Sequence, residues 1–205
     1  MTHSPMAPLL AEREERVRAG GTFGLRTGEI VAIPEDGRYV VKWDSGNVRS
    51  DSAPARMATF MAGPSRGAYF PLELGDEVVC GFREGAVDEP IIIGALHSDQ
   101  DPPPPDADTT ESNNTRTILS REGSELTFDD TPGETAVKLK SAGGIEITLV
   151  DGGENDPGVL TLKLSETAKI EVSKDSMVLQ FNNENKIEMG ADGVTVVGSV
   201  INLNP

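Results

Sequence analysis

Along residues 115–205, apolar and polar side chains alternate with a period of two. Ile145, Ile147 and Leu149 form one run; Leu160, Leu162 and Leu164 the next; Ile170 and Val172, then Met177, Leu179 and Phe181, follow. The spacing returns at Ile187 and Met189, at Val194 and Val196, and at Ile201 and Leu203, with residues such as Glu146, Thr148, Thr161 and Lys163 in between. Such alternation marks strands buried on one face. Strands of one short chain, paired only with each other, would leave open edges and a thin core. Three chains about one axis turn every aliphatic row inward. The pattern therefore predicts an intertwined homotrimeric β-helix or β-prism over 115–205. A conventional β-sandwich shares this periodicity and stays open as the alternative.

The region before it is patterned differently. Strand-like runs at 28–33, 39–43, 78–82 and 90–96 are separated by the turn signals Asp36-Gly37, Asp44-Ser45-Gly46 and Gly75-Asp76. Tyr39, Val41 and Trp43 fall on one side of a strand. Short strands at this spacing predict a small closed barrel over 22–98. Between the two regions, 99–114 reads as a linker, because Pro102-Pro103-Pro104-Pro105 favours extended polyproline II. Residues 1–21 read as an N-terminal arm. Ser4 can cap a short helix, Pro5 suits its first position, and Gly20-Gly21 ends it. Its thin apolar stripe, Met6, Leu9, Leu10 and Val17, is expected to dock on another surface. The expected class is thus all-β with a short helical arm.

Composition narrows the functions. Aromatic residues make up 4% of the 205-residue chain, against 22 Gly and 14 Pro, which suits many short strands with tight turns. The net charge of −16 argues against nucleic acid and against peripheral docking on anionic lipid. Cys80 is the only cysteine, so neither an internal disulfide nor a multi-cysteine metal site can form; assembly in a reducing cytoplasm is expected. No apolar run reaches membrane-spanning length, and acids and bases from Glu12 onward are unlike a signal peptide.

Three motifs suggest chemistry. Gly63-Pro64-Ser65-Arg66-Gly67 fits Gly-x-Ser-x-Gly, but a nucleophile elbow needs a strand, a helix and a histidine partner. Here Ala68-Tyr69-Phe70 continues as strand-like sequence and His97 is the only histidine downstream, so a turn is expected. Asp151-Gly152-Gly153-Glu154-Asn155-Asp156 lacks EF-hand spacing and repetition, so a hairpin turn is expected rather than a calcium loop. Cys80 reads as a small buried hydrophobe. No catalytic residue, cofactor or metal site is assigned.

Three segments in order carry a family resemblance. They are Met61-Ala62-Gly63-Pro64-Ser65-Arg66-Gly67-Ala68-Tyr69-Phe70, then Leu74-Gly75-Asp76-Glu77-Val78-Val79 with Gly81-Phe82, then Glu89-Pro90-Ile91-Ile92-Ile93-Gly94-Ala95-Leu96. Together they resemble the OB-type (oligonucleotide/oligosaccharide-binding) barrel of phage baseplate assembly protein V, with its "A-G-x-x-R-G", "G-D-E-V" and "P-x-x-x-G" order. Type VI secretion spikes carry a similar barrel. The resemblance implies the central spike of a contractile tail: a non-enzymatic homotrimer that seats on a hub and leads the tube through the target envelope, touching the membrane only transiently. It implies a virion tail baseplate location. No lysozyme insertion or fused hub domain precedes the barrel, so a separate hub protein is expected, docked by Met6, Leu9, Leu10 and Val17. The last residues, Val200, Ile201, Asn202, Leu203, Asn204 and Pro205, resemble the spike tip. His3 and His97 are the only histidines and lie far from that tip, so a separate PAAR-like capping protein is expected there instead of a histidine–iron site. Tailocin, extracellular contractile and type VI systems are alternatives. A carbohydrate-binding surface protein is another, with Tyr39, Trp43 and Tyr69 as its only aromatic platform.

Overall fold

A computed structural model describes residues 24–43, 51–154 and 157–202. The described residues contain sixteen strands, a single 3-10 turn at Arg83–Gly85 and no α-helix. The chain divides after Pro102 into two compact units.

The first unit contains β1 (Arg26–Ala32), β2 (Val40–Trp43), β3 (Arg56–Met57), β4 (Ala62–Gly63), β5 (Arg66–Gly67), β6 (Glu77–Phe82) and β7 (Pro90–Ala95). Five of these form a sheet in the order β2-β1-β6-β7-β3. Neighbours are antiparallel except for β3 and β7, which run parallel. The segment leading into β3 also pairs with the far edge. Tyr39 and Ala55 exchange backbone hydrogen bonds of 3.0 and 2.8 Å, and Ser52 N donates to Val41 O at 2.7 Å. Both edges of the sheet are therefore tied through one stretch of chain, which leaves little unpaired backbone for another strand to join. Bulges after Ile30 in β1 and between Val79 and Cys80 in β6 increase the local curl.

Inside lie Ile30, Tyr39, Val41, Trp43, Val78, Cys80 and Ile92, all buried. The expected alternation of Tyr39, Val41 and Trp43 is realised, and so is the buried Cys80. A core this small needs backbones to approach closely. Gly28 on β1 lies against β2, where a Cβ would meet Lys42 O at 2.5 Å and Val41 Cγ1 at 2.6 Å. The Tyr39 hydroxyl is satisfied inside by accepting a hydrogen bond from Leu72 N at 3.2 Å. Trp43 packs on Phe82 with ring centroids 5.5 Å apart.

The second unit contains β8 (Thr115–Leu119), β9 (Glu125–Asp129), β10 (Ala136–Lys140), β11 (Glu146–Val150), β12 (Val159–Lys163), β13 (Lys169–Val172), β14 (Ser176–Gln180), β15 (Lys186–Gly190) and β16 (Gly193–Val197). They form one nine-stranded sheet in strict chain order, each strand antiparallel to the next. Serine hydroxyls tighten several connections: Ser124 N donates to Ser120 Oγ at 2.9 Å, Ile145 N to Ser141 Oγ at 3.0 Å, and Ala168 N to Ser165 Oγ at 3.0 Å. All described strand pairing here is within the chain. A short chain closes its own ladders by hairpins, with no need for intertwining to satisfy its backbone.

Residues 104–114, read from the sequence as part of an extended spacer, contain turns instead. Ala107 N donates to Pro104 O at 2.9 Å. The Asp108 carboxylate accepts from Thr110 N at 2.9 Å and from Asn114 N at 2.8 Å.

Candidate assembly surface

The register of the nine-stranded sheet decides what its two faces carry. One cross-strand row runs Ile118, Leu126, Leu139, Ile147, Leu162, Ile170, Leu179, Ile187 and Val196. The row beside it on the same face runs Arg116, Phe128, Val137, Leu149, Leu160, Val172, Met177, Met189 and Val194. Arg116 is its one polar member. The central row of the opposite face is polar, with Thr117, Thr127, Thr148, Thr161 and Thr195 interleaved with Lys138, Glu171 and Glu188. On that side Lys169 pairs with Glu171 at 2.6 Å and Lys186 with Glu188 at 2.7 Å.

The apolar face has no cover within its unit. Leu139 is 50% exposed, Leu179 48%, Leu149 47% and Phe128 43%. The only described buried residues of this unit are Ala136 and Thr127, whereas the hydrophobic core cluster lies wholly in the first unit. Nine strands at about 4.8 Å spacing make an apolar strip about 38 Å tall. Contiguous patches on that scale mark interaction surfaces in soluble proteins.

The residues singled out by motif occupy unreactive surroundings. Gly63-Pro64-Ser65-Arg66-Gly67 forms a hairpin, with β4 paired to β5 and Ser65 at its turn at φ +54°. Gly67 is at φ +154°, and a Cβ there would meet Met61 O at 2.7 Å. The turn needs its glycine. No helix follows Ser65, so this is no nucleophile elbow. Ala68-Tyr69-Phe70 lies outside any strand, a departure from the expected strand-like continuation. The His97 ring approaches Asp101 O at 3.3 Å. Burial pushes the Cys80 thiol up to about 11, away from the thiolate a nucleophile needs. Tyr39 and Trp43 are 1% and 4% exposed, so of the three aromatics considered for a sugar platform only Tyr69 reaches the surface.

Of the expected hub-docking residues, Met6, Leu9, Leu10 and Val17 lie outside the described residues. Of the expected tip, Val200 and Ile201 are 73% and 51% exposed, Asn202 is exposed, and Leu203, Asn204 and Pro205 lie outside the described residues. Sequence reasoning missed two features. One is the simple order of the sheet; the other is an apolar groove of about 450 Å³ around Leu164, Leu179, Phe181 and Val196. The run Met177, Leu179, Phe181 carried the signal for the groove, since it extends the apolar face past the end of β14.

A closed core without a reactive pocket, joined to a sheet with a bare apolar face, defines a structural, assembly-forming β-protein. Residues 26–97 match the family model of the type VI secretion system/phage-baseplate injector OB domain. The first unit belongs to that family, and the chain is of the phage baseplate V and spike type. Its role is structural and of the baseplate-spike kind, in the tail baseplate of a phage or type VI system.

Proposed function

We propose that the chain is the central spike of a contractile tail, working as a homotrimer whose nine-stranded sheets close around one axis with their apolar faces inward. The uncovered face is the observation that carries this reading. Five-residue strands span about 16 Å. An equilateral prism with sides of that width holds each sheet about 5 Å from the axis, half the usual 10 Å between packed sheets. Ile, Leu, Val and Met fill such a space. The prism then stiffens a needle that leads the tube through the target envelope, and slow unfolding serves this task better than equilibrium stability. The barrel seats the trimer on a separate hub protein, with Met6, Leu9, Leu10 and Val17 gripping it. A capping protein covers the tip around Val200 and Ile201. Assembly takes place in the bacterial cytoplasm, in a phage tail rather than a tailocin, extracellular contractile or type VI apparatus.

Native mass spectrometry of the purified chain tests this. The expected mass is three times 21.8 kDa. A stable monomer of 21.8 kDa would remove the spike architecture and leave the barrel assignment alone.

A further inference from the structure

The two edges of the nine-stranded sheet differ in chemistry. Along one edge the apolar face is prolonged by Ile145, Leu164, Ala168 and Phe181, one residue beyond the strand ends: Leu164 N donates to Ala168 O at 2.9 Å and Phe181 N to Asn185 O at 3.1 Å. Phe181 is 75% exposed, Leu164 54% and Ile145 49%. Along the opposite edge the equivalent positions are Asp130, Thr135, Asp151 and Gly158, where Asp130 N meets Asn114 O and Asp151 N meets Thr135 O. One edge is thus a sticky ridge, the other a polar rim.

Charge separates the edges too. The polar rim and its turns carry Asp129, Asp130, Glu134, Asp151, Glu154 and Asp175. The ridge edge carries Lys140, Lys163, Lys169 and Lys186 among its glutamates. Two acidic rims brought together would repel, whereas a rim against the lysine-bearing ridge edge would not.

We propose that the ridge around Phe181 is the seam on which the next copy of this chain sits, ridge to rim, with Met177 and Met189 of that copy entering the groove. The inference rests on the self-association reading and adds its seam. A rotation axis parallel to the strand stack keeps every strand at its own height, so β14 and β15 of one copy meet β14 and β15 of the next. The groove lies at that height, lined by Leu164, Ile170, Leu179, Phe181, Ile187 and Val196. The apolar row nearest the rim supplies Met177 and Met189, which are 41% and 40% exposed. Methionine is unbranched and adaptable, and its sulfur packs well against an aromatic ring edge. An exposed phenylalanine and two exposed methionines complete each other only between copies, because Phe181 and Met177 are about 13 Å apart along one extended strand.

That spacing makes a clean test. A full-length chain carrying both Phe181→Cys and Met177→Cys cannot close a disulfide within itself, and the native Cys80 is buried. After mild oxidation, the expected result is covalent dimer and trimer on a non-reducing denaturing gel, absent from either single variant. A native trimer whose double variant stays uncrosslinked, or cross-linking by Phe181→Cys alone, would overturn the ridge-to-rim seam and leave self-association standing. A monomeric native mass for the unaltered chain would overturn both. Phe181→Asp and Ser120→Asp give an independent readout, since both lie on the same edge and only one on the apolar ridge. Phe181→Asp is expected to raise the concentration at which the trimer dissociates by about tenfold or more, and Ser120→Asp to leave it unchanged. Equal behaviour of the two would also overturn the seam.

Discussion

At Gly158 the backbone sits at φ +94°, and a Cβ would fall 2.0 Å from Val150 O. Gly144 has a similar φ of +87° with open space where its Cβ would be. The two glycines therefore separate conformational strain from collision. Gly144→Ala is expected to cost about 1 kcal/mol from backbone strain alone. Gly158→Ala adds overpacking and is expected to cost about 2–4 kcal/mol in total; thermal unfolding followed by far-UV circular dichroism compares them. Cys80 offers a second check. With its thiol pushed up to about 11 by burial, the native protein is expected to resist alkylation at pH 8, while the denatured chain reacts readily. Mass spectrometry after iodoacetamide treatment reads both; rapid labelling of the native chain would contradict the buried position. The fate of Cys80, Tyr39, Val41 and Trp43 was legible in the sequence, because strand alternation states which side chains share a face. The crowding at Gly28 was not, because it depends on the register that sets β1 beside Val41 and Lys42 of β2.

Whole strands followed the same division between local pattern and partner choice. Alternation placed nearly every strand of the second unit, because a half-buried strand must repeat every two residues. It could not show which strands pair, since in-chain hairpins and interchain winding share that period. Tight serine-tied connections such as Ser120–Ser124 and Ser141–Ile145 settle the matter for consecutive antiparallel neighbours. The proline run misled for a related reason. Pro102 to Pro105 does set extended backbone, but Asp108 just beyond gathers the chain into turns. The hydroxyl of Thr110 and the backbone N–H groups of Asn114 and Thr110 hold the Asp108 carboxyl below its usual value. A lowered folded value means the turn gains stability from ionised Asp108 above the unfolded value near 3.8, and loses it as pH falls through the lowered one. Asp108→Asn is expected to reduce the loss of hydrogen-exchange protection at Thr110 and Asn114 between pH 5 and about pH 2. Face by face, Leu162→Asp puts a charge on the apolar side and Thr161→Asp one on the polar side of the same strand. The first is expected to abolish self-association by native mass and the second to leave it intact; loss in both would assign assembly to something other than the apolar face.

For the molecule as a whole, the central asymmetry is that one unit owns a core and the other does not. The barrel buries Ile30, Val41, Val78 and Ile92 with no help from a partner, so its unfolding is a property of the single chain. The sheet keeps its rows of aliphatics half exposed until something covers them. If copies of the chain supply that cover, unfolding of the sheet is coupled to dissociation, and its midpoint must rise with protein concentration by mass action. Two probes separate the units in the intact chain. Trp43, the only tryptophan, reports the barrel by fluorescence, while far-UV circular dichroism reports both units. The expected outcome is a Trp43 transition that stays fixed over a hundredfold range of concentration, and a second dichroism transition that moves upward across it. A sheet transition independent of concentration would mean that the apolar face is covered within one chain or by a different partner, and the spike would lose its physical basis. A Trp43 transition that also moved would place barrel contacts inside the assembly, and would make the barrel a second contributor to the cohesion here assigned to the sheet.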